Sequence, residues 1–160
     1  MKNISLILIL LISFQGLSQE NYNSESYRVT LGDIESKTFV KDSTANALVI
    51  YEVGKTHVDN DKYDLRTEQK HKLKILNREG FDKATVEIYL YNSKSRAEKV
   101  KNIIATTYNK VGDEVVKTKL EEENIFTQKY DENHTLVKFT LPNIKEGSVI
   151  TYSYKIISPF

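Results

Sequence analysis

Few residues of this chain have the types and the spacing that catalysis or metal binding requires. The sequence contains three histidines and no cysteine, which excludes thiol nucleophiles, disulfides and cysteine-based zinc or iron–sulfur sites. His57 is followed closely by Asp59, Asp61 and Asp64, and such a group can bind a divalent cation. Its spacing lacks the glycine and the distal glutamate of a calcium loop, however. We therefore interpret the segment as a polar hairpin loop and predict no metal and no cofactor.

The other histidines and the serines also lack a catalytic pattern. His71 lies on the apolar face of a predicted strand, which favours a hydrogen-bonded position at the edge of the core over a general base. His134 lies in a predicted turn, where we expect it to be solvated. The sequence has no G-x-S-x-G segment, and its six glycines are dispersed rather than grouped into a phosphate-binding loop. We predict that the chain itself is not an enzyme.

Exposed tyrosines and lysines are the remaining candidates for a binding site. Tyr89 and Tyr91 lie on the polar side of a predicted strand and could form a platform for a glycan or a peptide. Cross-strand packing or contact with another domain is the favoured explanation for both. Lys70, Lys72 and Lys74 share one face of another strand. We expect a solvated face that discourages edge-to-edge aggregation rather than a contact with an anionic surface.

The elements that position these residues are mainly β-strands. Apolar and polar residues alternate with the period of two that is typical of half-buried strands. The predicted strands cover residues 47–53, 65–76, 84–91, 100–108, 114–119, 125–130, 135–141 and 150–156. Residues 93–109 also show a capping box and helical spacing, so a helix is the alternative there, but their β-branched residues favour the strand. Short spacing and Asn/Gly/Asp turns favour an all-β fold, either an antiparallel β-sandwich or a strongly curved sheet.

Two local features complete this prediction. Strands 65–76 and 84–91 are expected to be antiparallel neighbours, joined by a turn in which Gly80 has a positive φ. Thr30 and Asp33 match a capping box, which predicts one or two short helical turns near the N-terminus, ending at Ser36.

The N-terminus has the pattern of a secretory signal. A positive start precedes an apolar run over residues 4–14, and Gly16 and Ser18 occupy the −3 and −1 positions of a cleavage site. We predict a signal peptide over residues 1–18, a flexible leader over 19–26 and one β-sandwich domain over 27–160. The protein is therefore expected to be exported, to the periplasm, the cell surface or the medium, with no membrane span after cleavage.

The charge of the mature chain is balanced. Cleavage removes Lys2 and leaves 22 basic and 22 acidic residues. A nucleic-acid-binding protein needs a concentrated basic surface to displace counterions from phosphates. We therefore predict no nucleic-acid partner.

Several segments together resemble a known family. The most specific is Leu-Pro-Asn-x-Lys-Glu-Gly-Ser at residues 141–148, and residues 42–47, 72–76, 108–112 and 119–120 follow the same pattern. With Tyr152, Tyr154, Ser158 and Pro159 continuing it, residues 27–160 resemble the domain of unknown function 3857.

The resemblance implies a β-sandwich without catalytic residues, placed at the front of exported bacterial proteins. A transglutaminase-like domain with a Cys/His/Asp triad follows it in such proteins, and the module would position or shield this downstream partner. The family pattern also continues with further strands, so the domain is expected to be incomplete at its C-terminus. The alternative is a stand-alone extracytoplasmic module that binds a glycan or a peptide through Tyr89 and Tyr91.

Overall fold

Alternating side chains produce eight antiparallel strands in the described part of the chain. The computed structural model describes residues 27–37, 39 and 41–160; the predicted signal peptide (1–18) and leader (19–26) lie outside these residues. The strands are β1 (Ala47–Val58), β2 (Leu65–Ile75), β3 (Thr85–Tyr91), β4 (Lys99–Val111), β5 (Glu114–Lys119), β6 (Ile125–Lys129), β7 (His134–Thr140) and β8 (Val149–Ser158). Helix α1 spans Leu31–Glu35, and two 3-10 turns cover Arg78–Ala84 and Glu122–Asn124.

The strands form two sheets. The large sheet has the order β1-β2-β8-β4-β5, and the small sheet has the order β3-β7-β6. Every pairing between neighbouring strands is antiparallel. One apolar cluster joins the inner faces, with Ile75 and Ile150 from the large sheet and Val86, Val137 and Phe139 from the small one. The predicted all-β, antiparallel fold class is confirmed.

One predicted pairing is wrong. The strands at 65–76 and 84–91 are not neighbours, because β2 pairs with β1 and β8 while β3 pairs with β7. The 3-10 turn Arg78–Ala84 carries the chain from one sheet to the other instead of closing a hairpin. Gly80 does not have the predicted positive φ. Glycine is needed there because a Cβ would overlap the main-chain carbonyl of Asn46.

The N-terminal segment packs on the outer face of the large sheet. Thr30 caps α1 as predicted, since its Oγ1 accepts from the Asp33 N–H at 3.2 Å and its own N–H donates to Asp33 Oδ2 at 2.8 Å. Ile34 is the buried residue of α1. The ring of Tyr27 lies 5.9 Å from that of Tyr51 in β1. A short helix of five residues is thus held by tertiary contacts rather than by its own length.

The prediction of a solvated lysine face is wrong for two of the three lysines. Lys72 is 2% exposed and Lys74 is 0% exposed. Lys72 Nζ donates to Arg28 O at 3.0 Å and to Asp33 Oδ2 at 2.9 Å. Lys74 Nζ donates to Ile34 O at 2.6 Å and to the Gly147 carbonyl at 2.7 Å. The alternation of β2 does orient them outward, but the N-terminal segment covers them and supplies their acceptors.

Candidate functional site

The outer face of the small sheet carries the candidate site. Along β3, Val86, Ile88 and Leu90 point into the core and are at most 8% exposed. Tyr89 and Tyr91 alternate with them and point outward, with 47% and 43% exposure. The sequence pattern therefore predicted the direction of both tyrosines correctly.

Strand pairing brings further aromatic rings onto this face. Tyr89 lies opposite Leu136 of β7, and residues in register project to the same side of a sheet. The ring of Tyr130, which follows β6, meets that of Tyr89 edge-to-face at 5.0 Å. Because β7 runs between β3 and β6, the two rings meet above β7. Leu136 is accordingly only 5% exposed although it does not belong to the core cluster between the sheets.

The end of β8 also reaches this face. The ring of Phe160 lies 5.2 Å from that of Tyr91. The ring of His134, in the neighbouring strand β7, lies 5.8 Å from the same Tyr91 ring. The guanidinium of Arg96 stands 5.6 Å from the Phe160 ring, and its Nη1 donates to Pro159 O at 2.7 Å. These contacts place residues 159–160 against β3.

We call the exposed members of this cluster the aromatic face. They are 43% to 63% exposed: Tyr89, Tyr91, Phe126, Tyr130 and Phe160. Sequence reasoning missed three of them. Phe126 lies in β6 and Tyr130 directly follows it, four positions later. Because residues an even number of positions apart share one face of a strand, the alternation in the sequence could have predicted that both side chains point outward. No such signal marks Phe160, because its contact with Tyr91 depends on tertiary structure.

Polar groups border the aromatic face. The Tyr89 hydroxyl donates to Glu87 Oε2 at 3.1 Å, and Lys138 Nζ donates to Glu87 Oε1 at 2.7 Å. The hydrogen bonds from Lys138 and Tyr89 lower the pKa of Glu87. The same bond to Glu87 raises the pKa of the Tyr89 hydroxyl. A phenol held protonated in this way is a poor base or nucleophile, so the arrangement suits stacking and hydrogen bonding.

His134, which was expected in a solvated turn, is instead the first residue of β7, with its ring against Tyr91 and its Nδ1 hydrogen-bonded to Asp131. The structure does not bring the Asp59 segment into this site. Asp59 Oδ1 accepts from the backbone N–H of Lys62 at 2.7 Å, and its Oδ2 accepts from Arg66 Nε at 2.6 Å. These bonds lower the pKa of Asp59 and use the oxygens that a cation would need. Within the described residues, no group of three or more His, Asp or Glu side chains is arranged to hold a metal ion.

His71 lies at the edge of the core, as predicted, but without the predicted hydrogen bond. Its ring stacks on that of Tyr152 at 4.5 Å, and no described residue contacts Nε2 with a hydrogen bond. Burial lowers the pKa of His71, and Glu52 opposes this effect only in part. A neutral, stacked imidazole serves packing here rather than proton transfer.

Comparisons with known proteins place few constraints on this chain. No protein-family model matches it, and no similar sequence was found among curated proteins. Among solved structures, the crystal structure of a "putative protease" from Parabacteroides distasonis is similar, with 14% identity and a TM-score of 0.48. The similarity covers 61% of this chain and 20% of that protein. This chain thus matches about a fifth of that protein's length, and the resemblance to the domain 3857 family stays a prediction. Across the described ranges, no helix has both the length and the apolar character to cross a membrane.

Proposed function

We propose that residues 27–160 are a non-catalytic module of an exported, transglutaminase-like protein, and that the aromatic face positions or shields the domain that follows. The observation that carries this proposal is the packing of Phe160 on Tyr91. Any residues that follow Phe160 begin at the aromatic face, so an adjoining domain is delivered to the surface that could bind it.

The chemistry of the face supports this role. Aromatic side chains bury a large area for a small loss of side-chain entropy, and they are enriched in the centres of protein interfaces. Exposed apolar residues that stand alone are common on protein surfaces, whereas a contiguous cluster of them is typical of an interaction surface. Covalent linkage also raises the local concentration of the partner to the millimolar range. A face with modest intrinsic affinity is therefore sufficient to hold an adjoining domain in place.

Hydrogen exchange tests the proposal. The chain ending at Phe160 is compared with the full polypeptide encoded by its reading frame. We expect the amides of β3 and β7 to exchange more slowly in the longer protein, and Tyr89→Ala with Tyr91→Ala to remove this protection. Tyr63→Ala is the matched control, because Tyr63 is 79% exposed and lies outside the small sheet. A stop codon directly after Phe160, or equal exchange in both proteins, would contradict the proposal.

A second candidate function is direct binding of a glycan or a peptide by a stand-alone module. Its support is the exposure of Tyr89 beside the hydrogen-bonding groups of Glu87 and Lys138. Binding on a glycan and peptide array should then be lost in Tyr89→Ala and Tyr91→Ala. If the parent protein binds nothing on either array, this candidate is excluded.

A further inference from the structure

A row of cations crosses the outer face of the large sheet, at the end remote from α1. Lys55 of β1 is in register with Glu68 of β2, Glu68 with Lys155 of β8, and Lys155 with Lys101 of β4. Residues in register project to the same face. Three lysines and one glutamate therefore stand side by side on four neighbouring strands.

A second row lies next to the first. Two positions farther along the strands, His57 is in register with Arg66, Arg66 with Ile157, and Ile157 with Lys99. Residues two apart along a strand share a face, so the two rows form one surface with Ile157 as its apolar part. We call this surface the basic cleft: Lys55, His57, Arg66, Lys99, Lys101, Lys155 and Ile157.

The lysines of the basic cleft have no paired carboxylate among the described residues, although Arg66 pairs with Asp59. Glu68 and Asp64 also line the two cavities of this surface. In the described chain, no carboxylate lies within 4.0 Å of the ammonium groups of Lys55, Lys99, Lys101 or Lys155. Glu68 is the glutamate of the row, and its carboxylate is 3.7 Å from Lys70. Like charges directly opposite each other destabilise a sheet. The facing pair Lys101 and Lys155 is therefore an unfavourable arrangement that an anionic ligand would relieve.

The surface is recessed rather than flat. Two adjoining cavities of about 390 Å³ and 230 Å³ share Arg66, Lys101 and Ile157 in their linings. The strand β4 shifts register between Lys101 and Ile104, and Asn102 in this bulge has a φ of 54°. Bulges redirect side chains beside binding sites, and asparagine is one of the few residues besides glycine that adopts the left-handed region. Asn102 lines the larger cavity, where its amide adds a hydrogen-bonding group.

We propose that the basic cleft binds an acidic oligosaccharide, a sugar chain that carries carboxylate or sulfate groups. Charge complementarity to the unpaired lysines carries the proposal. An extended peptide binds a sheet by pairing its backbone with an edge strand, whereas this cleft lies on a sheet face and offers only side chains. The recess also fits a narrow chain better than the plane of a bilayer. The site is separate from the aromatic face and does not rest on the function proposed for it.

Calorimetric titration with a hexamer of galacturonic acid tests the proposal, with a heparin-derived hexasaccharide as the sulfated probe. We expect one of the two to bind, with an affinity that falls as salt is raised. Lys101→Gln combined with Lys155→Gln should weaken binding roughly ten-fold, because two direct charge contacts are lost. The matched control is Lys37→Gln with Lys145→Gln, which removes the same charge from exposed lysines that do not line the cleft. The control should stay within about two-fold of the parent protein.

Several results would overturn the assignment. Absence of binding by both sugars would overturn it. So would an equal loss of affinity in the control and the cleft variant, because the effect would then depend on net charge alone. The fully methyl-esterified galacturonate hexamer should not bind, and its binding would exclude charge recognition. If hexaglutamate, a six-nucleotide DNA or phosphatidylglycerol vesicles bind more tightly than the sugars, the cleft belongs to another class of anion. Circular dichroism confirms that each variant is folded before its titration is interpreted.

Discussion

Removing Lys72 from its ion pair with Asp33 should destabilise this protein far more than breaking one of its surface pairs, because a buried charge is then left uncompensated. Its Nζ–Oδ2 distance is 2.9 Å, and the two side chains are only 3% and 14% exposed. Lys72→Met keeps the aliphatic volume but leaves the Asp33 carboxylate buried without a cation and the Arg28 carbonyl without this donor. Removing one partner of a buried pair costs about 3 to 5 kcal/mol. We take about 3 kcal/mol, because Asp33 keeps its bond to the Thr30 N–H.

Urea unfolding followed by circular dichroism measures this loss. With an m-value of about 2 kcal/mol/M, the midpoint should fall by about 1.5 M. Lys138→Met is the matched control, since its pair with Glu87 is 47% and 38% exposed. Its midpoint should stay within error of the parent, because exposed pairs are screened by water. Adding Asp33→Asn to Lys72→Met should restore part of the loss, since the amide can still accept from Thr30 and carries no charge.

The loss should also depend on pH. Burial opposes the ionisation of Asp33, but hydrogen bonds from the Thr30 backbone and from Lys72 outweigh it and lower its pKa below the ordinary 3.8. Because the pKa of Asp33 is lower in the folded state, its ionisation stabilises the fold above pH 3.8. This contribution disappears as the pH falls through the pKa that Asp33 has in the folded protein. The difference between parent and Lys72→Met should therefore be largest at pH 7 and shrink below about pH 4. A loss below about 1 kcal/mol at pH 7, or an equal loss at pH 3, would refute the reasoning.

Two further predictions concern glycine and tyrosine positions. Gly80→Ala should lower the free energy of unfolding by about 1 to 3 kcal/mol through overlap with the Asn46 carbonyl. Gly112→Ala should cost no more than about 1 to 2 kcal/mol, because its site is open and only its φ of +61° is strained; equal thermal shifts would contradict this ranking. Burial, and to a lesser extent Tyr154 and Glu52, raises the pKa of Tyr152 from 10.0 to about 12. Its protonated phenol therefore stabilises the fold fully below pH 10, and this contribution is lost as the pH rises to 12. Tyr152→Phe should lose less stability than the parent between those values in guanidinium titrations, and identical pH profiles would exclude the effect.

Local features of this fold could be predicted from the sequence, whereas contacts between distant segments could not. The alternation at 65–76 locates β2 (Leu65–Ile75) almost to the residue, because the direction of a side chain in a strand depends only on its neighbours. The pairing of β2 depends instead on where the turn Arg78–Ala84 directs the chain. The simplest assumption, that β2 pairs with β3 because the two strands are consecutive in the sequence, was wrong.

The candidate site shows the same division. Alternation alone orients Tyr89 and Tyr91 outward, as the structure has them. The same rule oriented Lys72 and Lys74 outward but could not show that α1 and its flanking residues cover that end of the sheet. The basic cleft also escaped detection, because its cations come from four strands and the total charge is balanced. Only the register between the strands places Lys101 beside Lys155.

The position of β8 has a consequence for the order in which the fold can be built. This strand follows the other seven along the chain, yet it lies between β2 and β4 in the large sheet. Before residues 149–158 leave the ribosome, β1–β2 and β4–β5 can exist only as two separate hairpins, and isolated hairpins are marginally stable in water. Insertion of β8 closes contacts between residues that are 75 positions apart at one end, Lys74 and Val149, and 93 positions apart at the other, Leu65 and Ser158. We therefore expect a slow, late and concerted folding step instead of gradual folding during synthesis. A chain that crosses a membrane before β8 is inserted would cross it still unfolded.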